Sequence, residues 1–398
     1  MSLTETPRAN RIHIGIFGKR NSGKSSLINA LTGQYTALVS DTPGTTTDPV
    51  YKAMELYPLG PVVFIDTAGF DDSGELGRLR VEKTEEAFLK TDIGIIIFSD
   101  MIDDLSYEKK WIEKLRAKNT PIIGIINKAD LISVDEESMK KRIVKEFSLN
   151  PILVSSKDGL GISEIKEELA KVNMGTEEDD LLRGLVKSGD LVLLVMPQDI
   201  QAPKGRLILP QVQITRGLLD KNCTIVSTTS ANLDNALASL NKPPKLIITD
   251  SQCFNIVYEK KAKESLLTSF SVLFAASKGD IEAFIEGAEA IDKLNKNSKV
   301  LIAEACTHAP LAEDIGRVKI PGILKARFGQ EIIVDVVSGI DFPKNLSSYN
   351  LIIHCGACMF NKKYMISRID SAKREGISIT NYGVALAKLN GILDKIIY

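Results

Sequence analysis

Short apolar runs separated by amphipathic stretches set the rhythm of the chain. Between Arg11 and about Val172 the runs Ile12 to Phe17, Val62 to Ile65, Ile93 to Phe98, Ile122 to Ile126 and Ile152 to Val154 alternate with helical patterning. Strands that alternate with helices imply βαβ units and a parallel sheet. The acidic stretch from Asn173 to Asp180 then reads as a linker. Beyond it come predicted strands at Asp190 to Met196, Cys223 to Thr229 and Lys245 to Thr249. From about Ser265 the alternation resumes, with strands expected at Phe270 to Phe274, Lys299 to Ala303, Glu331 to Val336, Tyr349 to Ile353 and Ile377 to Thr380. The expected fold class is α/β, in three α/β domains at 1–173, 180–263 and 264–398.

Composition narrows the class. Charged residues at 25% and hydrophobic ones at 44% are those of an ordinary soluble globular protein. A formal net charge of -1 gives no electrostatic reason to expect nucleic acid as a partner. The longest apolar runs are strand-sized, too short to span a membrane. Met1 to Arg11 is polar and lacks the apolar core of a secretory signal. A cytoplasmic location is therefore expected.

The first strand feeds Gly18-Lys19-Arg20-Asn21-Ser22-Gly23-Lys24-Ser25, the pattern G-x-x-x-x-G-K-S placed between a strand and a helix. In such a loop backbone N–H groups from Gly18 through Ser22, Gly23 and Ser26 close around phosphate oxygens. Lys24 supplies a point charge, Ser25 offers a hydroxyl to Mg²⁺, and the helix adds its positive end. Three further segments follow strands in order. Asp66-Thr67-Ala68-Gly69 places a carboxylate for Mg²⁺ and a Gly69 N–H for the γ-phosphate. Asn127-Lys128-Ala129-Asp130 lets Asp130 accept both N–H donors of a guanine edge, and Ser155-Ser156-Lys157 closes over the base. Together they resemble the translation-factor-like GTPases, the branch containing Era and MnmE, and define an N-terminal P-loop GTPase domain. The resemblance extends to Gly44-Thr45-Thr46-Thr47-Asp48, similar to a switch motif G-T-T-R-D with Thr47 in place of Arg. There Thr46, or failing it Thr45, closes on Mg²⁺. Phe70 stands where many such enzymes carry the Gln that orients water. The resemblance assigns part of that work to K⁺, held partly by Asn21, so hydrolysis of GTP is expected to be slow and faster in K⁺ than in Na⁺. For Asn21 the simpler reading is turn chemistry. The acidic Asp71 to Glu75 reads as a solvated switch loop.

The middle region offers no carboxylate pair or nucleophile–base spacing. Its three predicted strands leave exposed edges that invite a second copy, and the segment Ala202 to Pro210 suits packing or self-association, so a dimerisation domain and a homodimer are expected. Cys223 and Cys253 read as buried small hydrophobes.

Three of the five cysteines and two of the three histidines gather in two short clusters, Cys306-Thr307-His308 and His354-Cys355-Gly356-Ala357-Cys358. Each follows a predicted strand, and the carboxyl edge of a parallel sheet is where α/β folds bind ligands. Five soft donors suit zinc or an iron–sulfur cluster, and residue chemistry alone leaves the two level. Glu304 beside Cys306 reads as a solvated loop carboxylate, while Asn381 and Tyr382 fit a turn.

C-x-H, forty-five intervening residues, then H-C-x-x-C, behind GTPase motifs and the Ala202 to Pro210 segment, resembles the FeFe-hydrogenase maturation GTPases, the HydF family, over the full chain. The resemblance implies a C-terminal parallel-sheet iron–sulfur domain. In it Cys306, Cys355 and Cys358 hold a 4Fe-4S cluster whose fourth iron keeps an exchangeable ligand. His308 and His354 would be ligands, stand behind them, or touch cargo. It further implies a scaffold that receives a two-iron subcluster precursor from radical-SAM maturases and delivers it to apo FeFe-hydrogenase, with the GTPase as a timer. The chain has no C-x-x-x-C-x-x-C triplet, so it is not itself a radical-SAM enzyme. The competing reading is an Era-like GTPase with a structural zinc tail, acting in ribosome- or RNA-associated assembly.

Overall fold

A computed structural model describes residues 6–33, 49–57, 59–67, 74–98, 104–131, 136–172, 180–197, 207–305 and 314–398. Two compact units divide the chain, Met1–Thr176 and Glu177–Tyr398.

In the first unit the strands are β1 (Ile12–Gly18), β2 (Val50–Leu56), β3 (Gly60–Asp66), β4 (Ile93–Phe98), β5 (Ile122–Ile126) and β6 (Ile152–Leu153). Their order in the sheet is β2-β3-β1-β4-β5-β6. The run Ile93 to Phe98 is buried throughout because helices cover both faces. Ile93, Ile95 and Ile97 pack on one side with Leu27, Ile28 and Leu31, whereas Ile96 and Phe98 pack on the other with Trp111 and Phe147. The first core clamps the helix Lys24–Thr32 onto the sheet directly behind the phosphate loop. One strand escaped the sequence pattern. β2 pairs antiparallel with β3 at the edge, and its mix of Lys52 and Glu55 with half-buried apolar positions hides the period.

The second unit holds two four-stranded sheets. β7 (Leu191–Val195), β8 (Thr224–Thr228), β9 (Leu246–Thr249) and β10 (Leu266–Ser269) form one, ordered β10-β9-β7-β8 and parallel throughout. The other consists of β11 (Lys299–Glu304), β12 (Ile333–Ser338), β13 (Leu351–His354) and β14 (Ser378–Asn381), ordered β12-β11-β13-β14 and also parallel. The strand expected at Phe270 to Phe274 is instead the start of a helix, Phe270–Lys278. A continuous apolar run is buried in either form, so its period cannot choose between them. Ser269 chooses, because its hydroxyl accepts the Val272 N–H at 3.2 Å and caps the helix. The strand proper is β10, which gives the middle sheet a fourth strand past residue 263. Among the described residues no helix is long and apolar enough to cross a membrane.

Candidate functional site

In the first unit β1 ends at Gly18, and the chain turns through Asn21 and Gly23 at φ 60° and 87° before the helix begins at Lys24. Gly23 serves two purposes. It takes the left-handed conformation, and a Cβ there would lie 2.3 Å from Asn127 Nδ2. That amide nitrogen donates to the Ser22 carbonyl at 2.9 Å, while Asn127 Oδ1 accepts the Ser156 hydroxyl at 2.9 Å. One side chain thus ties the phosphate loop to the two segments expected around the base. Ser155 donates to Asp130 at 3.0 Å, which steadies the carboxylate expected to meet guanine. Lys128, at φ 65°, makes the turn between Asn127 and Asp130, and Lys157 is exposed.

Lys24 is buried, its ammonium donating to the carbonyls of Gly18 at 3.0 Å and Lys19 at 2.9 Å. The charge is therefore stored over the loop's own backbone. Ser25 donates to Asp66 at 2.5 Å, so the two expected Mg²⁺ ligands already meet. Burial raises the Asp66 carboxyl above its usual range, against the Ser25 hydrogen bond and the charges of Lys24 and Lys52. A buried carboxylate beside a hydroxyl offers two hard oxygens of the kind a divalent cation takes. Asn21 is exposed in its turn. Thr46 and Gly69 lie outside the described residues.

In the second unit β11 and β13 are neighbours, with Ala303 opposite His354. From β11 the chain crosses to β12 on one side, and from β13 to β14 on the other. The carboxyl ends of β11 and β13 thus flank a switch point, the crevice where parallel sheets take ligands. Cys355 follows β13 at once, its N–H bonded to the Ala303 carbonyl at 2.9 Å. Its sulfur accepts the N–H of Ala305, the residue leading into Cys306, at 3.0 Å. Ala357, at φ 52°, turns the loop towards Cys358. Burial pushes the Cys355 thiol up to about 12, and the neighbouring Cys358 adds to it, against N–H groups of Ala357 and Ala305. A thiol this reluctant to ionise becomes a thiolate when a metal displaces its proton. Cys306 and His308 lie outside the described residues, and among the described ones no three metal-binding side chains cluster.

His354 is fully buried. Its Nε2 accepts Arg368 Nη1 at 2.9 Å, which leaves the proton on Nδ1 to bond the Cys355 carbonyl at 2.9 Å. Burial, then the Arg368 charge, depress its pKa to about 3. Both ring nitrogens are committed to protein groups, so the structure places His354 behind the cysteine loop. Glu304 departs from the solvated carboxylate expected of it. It is buried, paired with Arg317 Nε at 3.0 Å and reached by the hydroxyls of Ser338 at 3.3 Å and Tyr382 at 3.4 Å. Gly316 packs here, since a Cβ on it would fall 1.9 Å from the Tyr382 hydroxyl. Asn381 is a helix cap, accepting from Gly383 at 2.8 Å and Val384 at 3.1 Å. The stretch Ser277 to Asp280 ends one helix and caps the next. Lys278 lays its ammonium on the carbonyls of Phe360 at 3.0 Å and Cys358 at 3.4 Å. Sequence reasoning passed over Arg368. Its signal was available: it falls in the buried stripe Tyr364, Met365, Ile369, Ala372 of the helix Lys362–Arg374, where an Arg is out of place.

Comparison with known proteins accords with this layout. Residues 13–128 match the family model described as "50S ribosome-binding GTPase". Over 165 residues the chain is 35% identical to the tRNA modification GTPase MnmE of Endomicrobium trichonymphae, covering 40% of this chain and 35% of that protein. Over 177 residues it is 32% identical to GTPase Der of Wolinella succinogenes, 43% of this chain and 37% of that one. It therefore spans little more than a third of the length of these relatives. A solved structure of Era with MgGDPNP and a 16S ribosomal RNA fragment aligns at a TM-score of 0.37 and 18% identity, over 55% of this chain and 91% of that one. The first unit is a P-loop GTPase domain, joined to a region built for self-association. Residues 181–279 match the hydrogen maturase F dimerization domain and 282–398 its tetramerization domain, together more than half of the chain. The chain belongs to the hydrogen maturase F (HydF) family.

Proposed function

We propose that the protein is a GTP-hydrolysing scaffold of FeFe-hydrogenase maturation. Its thiol rim binds a 4Fe-4S cluster, carries a two-iron precursor from radical-SAM maturases, and hands it to apo-hydrogenase in the cytoplasm. One observation carries this reading: Cys355 stands at the switch point between β11 and β13 with the N–H of Ala305, the residue before Cys306, on its sulfur. N–H groups directed at sulfur are what tune iron–sulfur sites. Cys306, Cys355 and Cys358 are the proposed ligands, and the cluster would supply an exchangeable iron position. His354 orients the loop from behind, and His308 has no assigned role beyond proximity in sequence. The first domain is proposed at 1–173; because β10 belongs to the middle sheet, the boundary expected between 263 and 264 moves beyond Ser269, and a homodimer is built on the middle domain.

In the GTPase domain, Ser25 and Asp66, with Thr46, would hold Mg²⁺, which neutralises phosphate charge. Lys24 exchanges its two carbonyl partners for phosphate oxygens, at no cost in new ordering because the side chain is already held. The Gly69 N–H meets the γ-phosphate. Asp130 reads the guanine edge, and Asn127 transmits base occupancy to the loop through Ser22. Asn21 contributes to a K⁺ site, which the rate ratio between K⁺ and Na⁺ tests; equal rates would remove it. Nothing observed favours the zinc-tailed, RNA-associated alternative.

The deciding experiment is anaerobic reconstitution followed by EPR of wild type and Cys355→Ser. A brown protein whose reduced-cluster signal is lost or altered in the variant is expected. A colourless wild type, or an unchanged spectrum in the variant, would end the assignment.

A further inference from the structure

Arg368 is 3% exposed, and among the described residues no carboxylate pairs with it. Its guanidinium lies 4.7 Å from the ring centre of Phe342, 4.6 Å from Phe360 and 4.9 Å from Tyr364. Nη1 goes to His354 Nε2, and Nη2 to the Gly339 carbonyl at 2.5 Å and the Tyr364 hydroxyl at 3.4 Å. Among the described residues Nε has no hydrogen-bond partner. Asp341 and Cys355 act on the cation only through space. Aromatic faces and neutral acceptors soften the burial of a cation, but they do not neutralise it. A guanidinium buried this deeply, with Asp341 acting on it only through space, gains from a further anion nearby.

The same side chain has a fixed line to the cysteine loop. Because Arg368 can only donate, His354 must accept at Nε2 and donate from Nδ1 to the Cys355 carbonyl. Charge and geometry therefore converge on one loop.

We propose that Arg368 is the counter-charge for the anionic, thiolate-bound cluster at this rim, a positioning residue that acts through His354 and the Cys355 backbone. The inference rests on the cluster reading above. Positive charge near a cluster favours its more negative, reduced state, so removing it lowers the reduction potential and weakens retention of iron.

The test uses the full chain, reconstituted anaerobically as wild type, Arg368→Met and Arg368→Lys. Iron retention against a chelator and an EPR-monitored redox titration are read together, with far-UV circular dichroism to confirm folding. Arg368→Met is expected to lose iron about tenfold faster and to fall in potential by about 59 mV, the one-electron equivalent of a tenfold change. Arg368→Lys, which keeps the charge but not the planar fork, stays close to wild type in potential. Equal falls in both variants, or none in the methionine variant, would overturn the counter-charge role while leaving the cluster in place. Should Arg368→Met not fold, Arg368→Gln takes its place: a fall in potential with Arg368→Lys at the wild-type value supports the role, and no fall removes it. A wild type that takes up no cluster overturns this inference together with the reading beneath it.

Discussion

At the end of β1 the chain turns back on itself within six residues and makes its site from its own backbone. At the end of β13 the chain delivers one cysteine to a crevice completed by residues from β11, from the helix Lys362–Arg374 and from the π-helical turn Ile315–Lys319. The phosphate loop asks for exposed N–H groups and one stored charge, which a short contiguous motif can encode. The thiol rim needs low polarity around sulfur, and only distant parts of the chain can supply that. Its supports are polar groups withdrawn from water: the buried Glu304 held by Arg317 and Tyr382, and the buried Arg368 with His354. Function and stability should therefore separate at the first site and stay entangled at the second.

Lys24→Ala is the strongest test of the first half. GTP turnover should fall about a thousandfold, roughly 4 kcal/mol of barrier, while the melting temperature stays nearly unchanged. A large loss of stability would erase the contrast. At the thiol rim Glu304→Ala removes a buried carboxylate that accepts from Arg317 and from the Ser338 and Tyr382 hydroxyls, and should cost about 1–2 kcal/mol in denaturant unfolding. A neutral outcome would show that this rim, too, tolerates surgery. Asp130→Asn should weaken GTP binding about tenfold to a hundredfold and favour a xanthine base, which offers a carbonyl where guanine offers an amine; calorimetry with both nucleotides reads it.

A subtler difference concerns pH. The folded protein raises the Asp66 pKa, so without nucleotide or Mg²⁺ the charged carboxylate is a penalty that is full above that raised value. The penalty disappears as pH falls towards the carboxyl's ordinary range, because the folded state then binds the proton more readily. Wild type should thus gain on Asp66→Asn as pH drops, seen as converging melting temperatures, and saturating Mg²⁺ with GTP should abolish the trend. The smallest effect belongs to neither site. Lys388→Ala removes the ion pairs to Glu289 and Asp292 at 2.9 and 2.8 Å, where both carboxylates are well exposed, and should cost less than about 1 kcal/mol.

Read from the residues alone, the parallel sheets, the phosphate loop and the GTPase class were all legible, while the guanine segment and the two cysteine clusters stand out as patterns of residues. Each is a local signal: an apolar period, a glycine spacing, or a soft ligand after a strand. The antiparallel edge β2 and the helical state of Phe270 to Phe274 were not, because edge strands mix charges and a continuous apolar run has no period to read. Nor could any local rule bury Glu304 against Arg317 or commit both nitrogens of His354, since those depend on what Arg317 and Arg368 bring from other elements. What chemistry the chain can offer is written in residue types and short spacings. Which of those groups lie together out of water, and which cation answers which anion, is decided only when remote segments pack, because burial is what makes their charges matter.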